Sequence, residues 1–440
     1  MAVYRPRRPR ASPLYRLLER HFRTLSLVWD ERFAATGGAW RAVIPKVVDQ
    51  FLACGLLEHG FARIRCDACT HEYLLAFSCK ARYFCPSCHA KRIAQWSQWL
   101  DETLLAPVPH RQVVLTIPKR LRAYCLFRRS LLGDLARVAA RTVTAAVRAT
   151  TGEADLSVGI IACLQTHGSL ANWHPHLHLV VTDGGFRPDG TFVRWPGWPG
   201  HDTALLTEAF RRAVLRLFVR RGLFEEDQAQ GMLQWPHSGF QVHAGIGVPE
   251  DDRAFALRLA RYCARNPVAL ERLTYDAGLD QVTYRSDKTA GPTAGTATVD
   301  PLEFLARVVT HIPNPGQVMQ RYYGWYASRT RGARRQQGLA AAGPAEVGTV
   351  VTVVEPVAWS LRAARARWAE LLRRIVEVDP LTCPQCQGGM RVVAVITAPG
   401  VIARILAHRV RARDPTSRPR RPRRFRRRSP PPTTAGRPHP

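Results

Sequence analysis

Histidine stands at every second position of an apolar run in His174-Pro175-His176-Leu177-His178. The run continues as Leu179-Val180-Val181-Thr182 and stops at Asp183-Gly184-Gly185, which reads as a buried strand ended by a turn. Side chains two apart on a strand share a face and lie about 6.8 Å apart along the chain. Two imidazoles so placed can close on one divalent cation while Leu177, Leu179 and Val181 pack behind them. A hydrophobic core gains nothing from histidines at that repeat. His176 and His178 are therefore the candidate metal pair, with His174 extending the row and open positions left for catalysis. Gln165 ends the apolar run 157–165, an expected antiparallel partner strand, and is the candidate third ligand. His167 reads as part of the short connecting loop. No His-Glu-x-x-His occurs, so a zincin-type protease has no support.

A nucleophile is the second requirement. Phe255, Leu259, Tyr262 and Cys263 fall at i, i+4, i+7 and i+8, one face of a helix expected over 252–265. Spacing alone gives a core tyrosine. The same face also suits a tyrosine presented beside a metal-bearing sheet, where a phenolate can attack a phosphorus polarised by a divalent ion.

The eleven cysteines supply a separate chemistry. Cys66-x-x-Cys69 and Cys85-x-x-Cys88 are two knuckles fifteen residues apart, the spacing of a structural zinc held by four thiolates, with Cys79 and His89 as substitute ligands. Cys383-x-x-Cys386 stands alone, with His408 as its downstream partner. Lys80, Arg82, Lys91 and Arg92 flank the first module around Tyr83 and Phe84, a mixture suited to phosphate neutralisation and base stacking.

The chain that must position these groups has 440 residues, 46% hydrophobic, which allows two or three domains and a sizeable core. Its 64 Lys and Arg against 34 acids give a net charge of +30, which points to a polyanion such as nucleic acid. No run reaches the roughly 20 apolar residues of a membrane span. The arginine-bearing residues 1–10 precede no apolar segment, so they do not read as a secretory signal. Helices are expected over 14–57 with a break at Gly37-Gly38, and over 93–105, 121–150, 202–221 and 357–378. Strands are expected at 112–118 and 240–248, and a polar loop at 286–299. Together these define an α+β protein: a helical, zinc-ribbon-like N-terminal module, then an antiparallel sheet flanked by helices. The expected divisions are a basic arm 1–12, a recognition domain 13–105, a catalytic domain 106–330 and a linker 331–350. A helical region 351–412 and an Arg/Pro tail 413–440 complete the chain.

Several motifs in the same order resemble rolling-circle transposases of the HUH type, the family typified by insertion sequence ninety-one and the related common-region elements. They are "VVLTIPKRLR", "LQTHGSLANWHPHLHLVVTDG", "LARYCARNP", "RYYGWY" and the cysteine module, spanning about residues 14–395. The resemblance implies an HUH endonuclease sheet in which His176 and His178 bind Mg²⁺ or Mn²⁺. It also implies that Tyr262 cleaves single-stranded DNA, leaving a 5′-phosphotyrosine and a free 3′-hydroxyl before joining to target DNA. The cysteine module corresponds to the family's zinc-binding, DNA-recognising domain. Two-tyrosine members carry another tyrosine four residues before the first; here that position is Arg258, the pattern of a single-tyrosine branch, and Asn266 stands where proline is usual. Tyr322, Tyr323 and Tyr326 form a rival tyrosine cluster, and Arg321, Tyr322 and Tyr323 are candidate DNA contacts. The implied partners are element-end and target DNA and a second copy of the chain, in a bacterial cytoplasm near the nucleoid, with no membrane. The alternatives are a non-catalytic zinc-dependent DNA-binding protein and a rolling-circle replication initiator.

Overall fold

The computed structural model describes residues 8–81, 83–195, 203–291, 293–336 and 382–413. Arg82, the helix expected over 357–378, most of the expected linker and the tail from 414 lie outside them. Residues 9–11 of the expected basic arm form a 3₁₀ turn.

The N-terminal helices are α1 (Pro13–Arg32), α2 (Ala34–Gly37) and α3 (Val43–Leu52). Leu14, Leu17, Leu18, Leu25 and Trp29 recur at helical spacing on α1 and are all buried. The break at Gly37-Gly38 has a steric cause. A Cβ on Gly37 would lie 2.8 Å from the Trp29 indole, and Gly38 turns the chain at φ +79°. Strands β1 (Phe61–Cys66) and β2 (Glu72–Ala76) form the hairpin of the cysteine module. Helix α4 (Pro86–Trp99) follows, starting earlier than the apolar pattern shows because Pro86 occupies its first turn.

The central sheet takes β3 (His110–Thr116), β4 (Gly159–His167) and β5 (Trp173–Thr182) from the middle of the chain. Between β3 and β4 lie α5 (Lys119–Phe127) and α6 (Ser130–Thr151), separate helices where the sequence reads as one. The chain bends at Arg128, and the Arg129 side chain leaves the helix line to bond the Thr310 carbonyl at 2.5 Å. His167 lies on β4, paired with Trp173, and is not a loop residue. A small hairpin, β6 (Gly184–Phe186) and β7 (Phe192–Arg194), precedes α7 (Thr203–Arg220) and α8 (Glu226–Leu233). Then come β8 (Gln241–Val248) and α9 (Arg253–Cys263), the tyrosine helix. Strands β9 (Leu273–Asp276), β10 (Gln281–Arg285) and β11 (Thr296–Val299) make a second sheet, so the end of the expected 286–299 loop is a strand. Helix α10 (Pro301–Thr310), β12 (Gln320–Gly324) and α11 (Ser328–Gln336) complete this part, so 331–336 of the expected linker is helix. Strand β13 (Met390–Ile396) and α12 (Pro399–Arg413) follow.

The central sheet has the order β12-β4-β5-β3-β8 and every pair is antiparallel, which puts the histidine strand in the middle. Ile160, Ala162, Leu164, Leu177, Leu179 and Val181 bury one face together with Leu135, Ala139 and Val143 of α6 and Phe210, Val214 and Phe218 of α7. The opposite face packs Ile161, Cys163 and Val180 against Ile93 and Trp96 of α4 and Leu259, Ala260 and Cys263 of α9. The alternation of a strand thus delivers the even-numbered histidines to the α4–α9 side.

Two buried histidines outside that pair, His110 and His311, give the fold a pH dependence. Burial, with added arginine charge, pushes His110 and His311 down from 6.5 to about 4. The unfolded chain therefore binds more protons between about pH 4 and 6.5. Stability is full above that window and falls as pH drops through it, by about 1.4 kcal/mol per pH unit for each histidine. Urea midpoints measured at pH 7 and pH 5 are expected to show this loss, with a shallower dependence in His311→Gln.

Candidate metal and tyrosine site

On the α4–α9 face, the sheet register sets His176 opposite Gln165 and His178 opposite Cys163. The Nε2 atoms of His176 and His178 are 3.0 Å apart. Two nitrogens at about 2.1 Å from one ion and at right angles to each other are separated by about 3.0 Å, so the pair fits adjacent positions of an octahedral cation. His176 Nδ1–H donates to the His174 carbonyl at 2.7 Å, which frees its Nε2 lone pair. His178 Nδ1 meets the side-chain amide of Gln112 at 2.9 Å. With the His178 proton on Nδ1 and the Gln112 oxygen turned to accept it, both Nε2 atoms face the same point.

Two further polar atoms on this face have no partner among the described residues: Gln165 Oε1 and His174 Nε2, both shielded from water. Buried acceptors are rarely left so, and an amide oxygen and an imidazole beside a histidine pair are a donor set that fits a hard or borderline divalent ion. Burial is the main cause that holds His176 near 4, with Arg265, Arg122 and Lys288 adding to it, so the ring is neutral and able to ligate at physiological pH. The same cations favour an approaching phosphate.

Tyr262 lies at the C-terminal end of α9, 48% exposed. Its ring meets the His178 ring edge-on at 5.8 Å, and the Arg265 guanidinium covers it at 5.0 Å. Asp252 caps the start of α9, accepting from Phe255 N at 2.8 Å. The carbonyls at the other end are also captured. Gln165 Nε2 donates to Tyr262 O at 3.3 Å and Cys263 O at 2.8 Å, and His89 Nε2 contacts Ala264 O at 2.7 Å. The histidine-bearing sheet and the cysteine module therefore both fix the turn that carries the phenol. Arg258, one turn earlier, reaches back to Asp252 at 3.9 Å and lies over Phe255, away from the histidines.

The cysteines pair differently from the sequence expectation. Cys66, Cys69, Cys85 and Cys88 do not form one site; they are split between two clusters, Cys54/Cys79/Cys85/Cys88 and Cys66/Cys69/Cys383/Cys386. The hairpin separates the knuckles, and Cys54, outside any Cys-x-x-Cys, joins the second. In the first cluster sulfur separations are 3.6 Å for Cys54–Cys88, 3.5 Å for Cys79–Cys88 and 3.8 Å for Cys85–Cys54. Four ligands at about 2.3 Å from a tetrahedral zinc lie about 3.8 Å from one another, so this set fits that ion. Cys79 is thus one of the four, whereas His89 turns away to Ala264 and His408 belongs to neither cluster.

Lys80 and Arg92 are exposed on the module and Lys91 is partly so. Tyr322 and Tyr323 point to opposite faces of the sheet: Tyr322 accepts from Trp96 Nε1 at 2.7 Å, and Tyr323 packs against the α6–α7 core. Arg321 lies against Gly133 of α6. Tyr326 is fully buried on His110 at 2.7 Å.

Gln112 carries no motif of its own; its signal is its place as an amide opening an otherwise apolar strand. Gln112→Leu removes the partner of His178 Nδ1 and is expected to weaken divalent-metal affinity by about 10- to 100-fold, read by calorimetric titration.

A zinc-fitting cysteine module attached to a histidine-bearing antiparallel sheet, with a tyrosine beside the histidines and strong positive charge, defines a DNA-processing enzyme. A transposase family model, Y2_Tnp, matches residues 159–334, and a transposase zinc-binding domain, Zn_Tnp_IS91, matches residues 25–117. The transposase for insertion sequence element IS801 of Pseudomonas savastanoi pv. phaseolicola is 27% identical over 376 residues, 82% of this chain and 86% of that protein. The y4qJ protein of Sinorhizobium fredii, also named as a transposase, is 28% identical over 356 residues, 74% of this chain and 83% of its own. No solved structure matches. The chain belongs to the IS91 family of transposases, enzymes that process DNA. Among the described residues no helix is long and apolar enough to cross a membrane.

Proposed function

We propose that this transposase nicks and rejoins single-stranded DNA at element ends, in rolling-circle transposition, through a covalent link at Tyr262. The observation that carries this reading is the edge-on contact of Tyr262 with His178, whose Nε2 lies 3.0 Å from that of His176. Mg²⁺ or Mn²⁺ bound by His176 and His178, with Gln165 Oε1, would supply Lewis-acid polarisation of a phosphate oxygen. The chain's own groups do the rest. Arg265, whose guanidinium lies 5.0 Å from the Tyr262 ring, draws the phosphate toward the phenol. The Tyr262 oxygen loses its proton to solvent and bonds to phosphorus. The P–O3′ bond breaks, and the departing oxygen takes up a proton to become the free 3′-hydroxyl. Rejoining is the reverse, with a 3′-hydroxyl attacking the phosphotyrosine. A single tyrosine on α9 means that it acts twice or that two protomers contribute one each. A non-catalytic DNA-binding role, with the histidines on a structural metal, would place Tyr262 in the core, whereas it stands half-exposed beside His178.

The test is incubation with labelled single-stranded DNA from an element end and Mg²⁺ or Mn²⁺, followed by mass-spectrometric mapping of the protein–DNA adduct. An adduct on Tyr262 is expected, absent in His176→Ala and His178→Ala although both still bind DNA. An adduct on Tyr322, Tyr323 or Tyr326, or tight binding with no adduct, would overturn the reading.

A further inference from the structure

We infer that Cys66, Cys69, Cys383 and Cys386 bind a second zinc ion, which fastens the C-terminal strand to the cysteine module. The zinc-binding family domain covers residues 25–117 and so contains all of Cys54/Cys79/Cys85/Cys88 but only half of this second set. The other half arrives from the far side of the catalytic sheet in sequence. Cys66 lies 3.5 Å from Cys386 and Cys69 lies 3.4 Å from Cys383, pairs separated by 320 and 314 positions. All four sulfurs lie within 4.8 Å of one another, close to the edges of a tetrahedron around zinc.

The two knuckles have the same backbone form. In each, the residue directly after the second cysteine, Thr70 or Gln387, adopts the left-handed region at φ 60° or 61°. That turn folds the backbone around the sulfurs: Cys69 N points at Cys66 Sγ at 3.5 Å, and Gln387 N bonds Cys383 O at 3.0 Å. Gly388 lets the second knuckle close, since a Cβ there would lie 3.3 Å from Cys386 Sγ and 3.6 Å from Cys66 Sγ. Two matched turns aiming four sulfurs at one point suit a borderline-soft tetrahedral cation, and four thiolates exclude Mg²⁺ as the occupant. Around the site β13 pairs with β1 from Phe61↔Ile396 to Cys66↔Met390, and Ile402 of α12 packs on Phe61 and Leu74. The ion would close this small domain where the sheet alone offers little core.

Native mass spectrometry of the full chain, purified under reducing conditions, tests this. Two zinc ions per chain are expected, falling to one in Cys383→Ser/Cys386→Ser. Cys386→His, which restores a ligand at the exposed corner, is expected to keep two. Should the double variant not fold, cobalt substitution of the wild-type chain decides between two tetrathiolate equivalents and one. One metal in the wild type, two retained in a folded double serine variant, or disulfides joining these cysteines would each overturn the inference.

Discussion

Tyr262→Phe is expected to bind element-end DNA as well as the wild type and to form no covalent adduct. Its single-turnover cleavage is expected to fall by at least about four orders of magnitude, the scale on which losing a covalent nucleophile acts. The substitution removes one oxygen and nothing else. The edge-on contact with His178 and the cover from Arg265 involve the ring, which remains. Tyr262 is 48% exposed, so the fold loses almost nothing. Tyr326→Phe is the matched control. Its hydroxyl is buried, 2.7 Å from His110 Nε2 and 3.2 Å from Ala106 N. Losing it leaves a buried donor unpaired, a cost of about 1–3 kcal/mol in stability with cleavage per folded molecule unchanged. The contrast separates a phenol that reacts from one that supports the fold, and denaturing gels with urea titrations read both.

Cys88→Ser is expected to release zinc from the Cys54/Cys79/Cys85/Cys88 cluster and to lower cleavage by about 100-fold, even with Tyr262, His176 and His178 in place. Structural zinc contributes on the order of 10–16 kcal/mol of apparent binding free energy to small modules, so its loss melts the surrounding turn. His89 follows Cys88 directly on α4 and reaches the Ala264 carbonyl at the end of the tyrosine helix. When that turn loosens, the Ala264 carbonyl loses its partner, while the Gln165 bonds to Tyr262 O and Cys263 O remain. A displacement of about 1 Å at a nucleophile is enough for a loss of this size. His89→Ala is expected to reproduce part of the cleavage defect while retaining zinc, which metal analysis and single-turnover rates together will show. A full retention of activity in zinc-free Cys88→Ser would mean that the module only binds DNA.

The parts legible in the sequence are those governed by local periodicity. The alternation of His174, His176 and His178 gave both the strand and its face, and the i, i+4, i+7 spacing around Tyr262 gave its helix. The short connection between β4 and β5 gave their antiparallel pairing with Gln165 near its end, but the register that sets Gln165 opposite His176 and brings His167 onto β4 emerged only from the sheet. Pairings across long separations were not legible. Cys54 has no neighbouring cysteine to mark it, and nothing near Cys383 tells which knuckle it completes. Gln112 reads as one amide among apolar residues until the sheet sets β3 beside β5. At the break between α5 and α6, Arg129 reaches the Thr310 carbonyl, a contact 181 positions away that leaves no local trace.

The pairing of β13 with β1 carries a consequence for how the protein is made. A ribosome releases the chain from its N-terminus at about 5–20 residues per second. The β1–β2 hairpin therefore waits for more than 300 residues of synthesis, from Cys66 to Met390, before its third strand exists. During that interval the outer edge of β1 is an open template for strand addition. Only a chain translated through β13 can cover it, so products stopped by a frameshift or early termination anywhere in the catalytic region expose that edge permanently. Such fragments are marked for aggregation or proteolysis, which makes completion of translation itself a checkpoint on which copies persist.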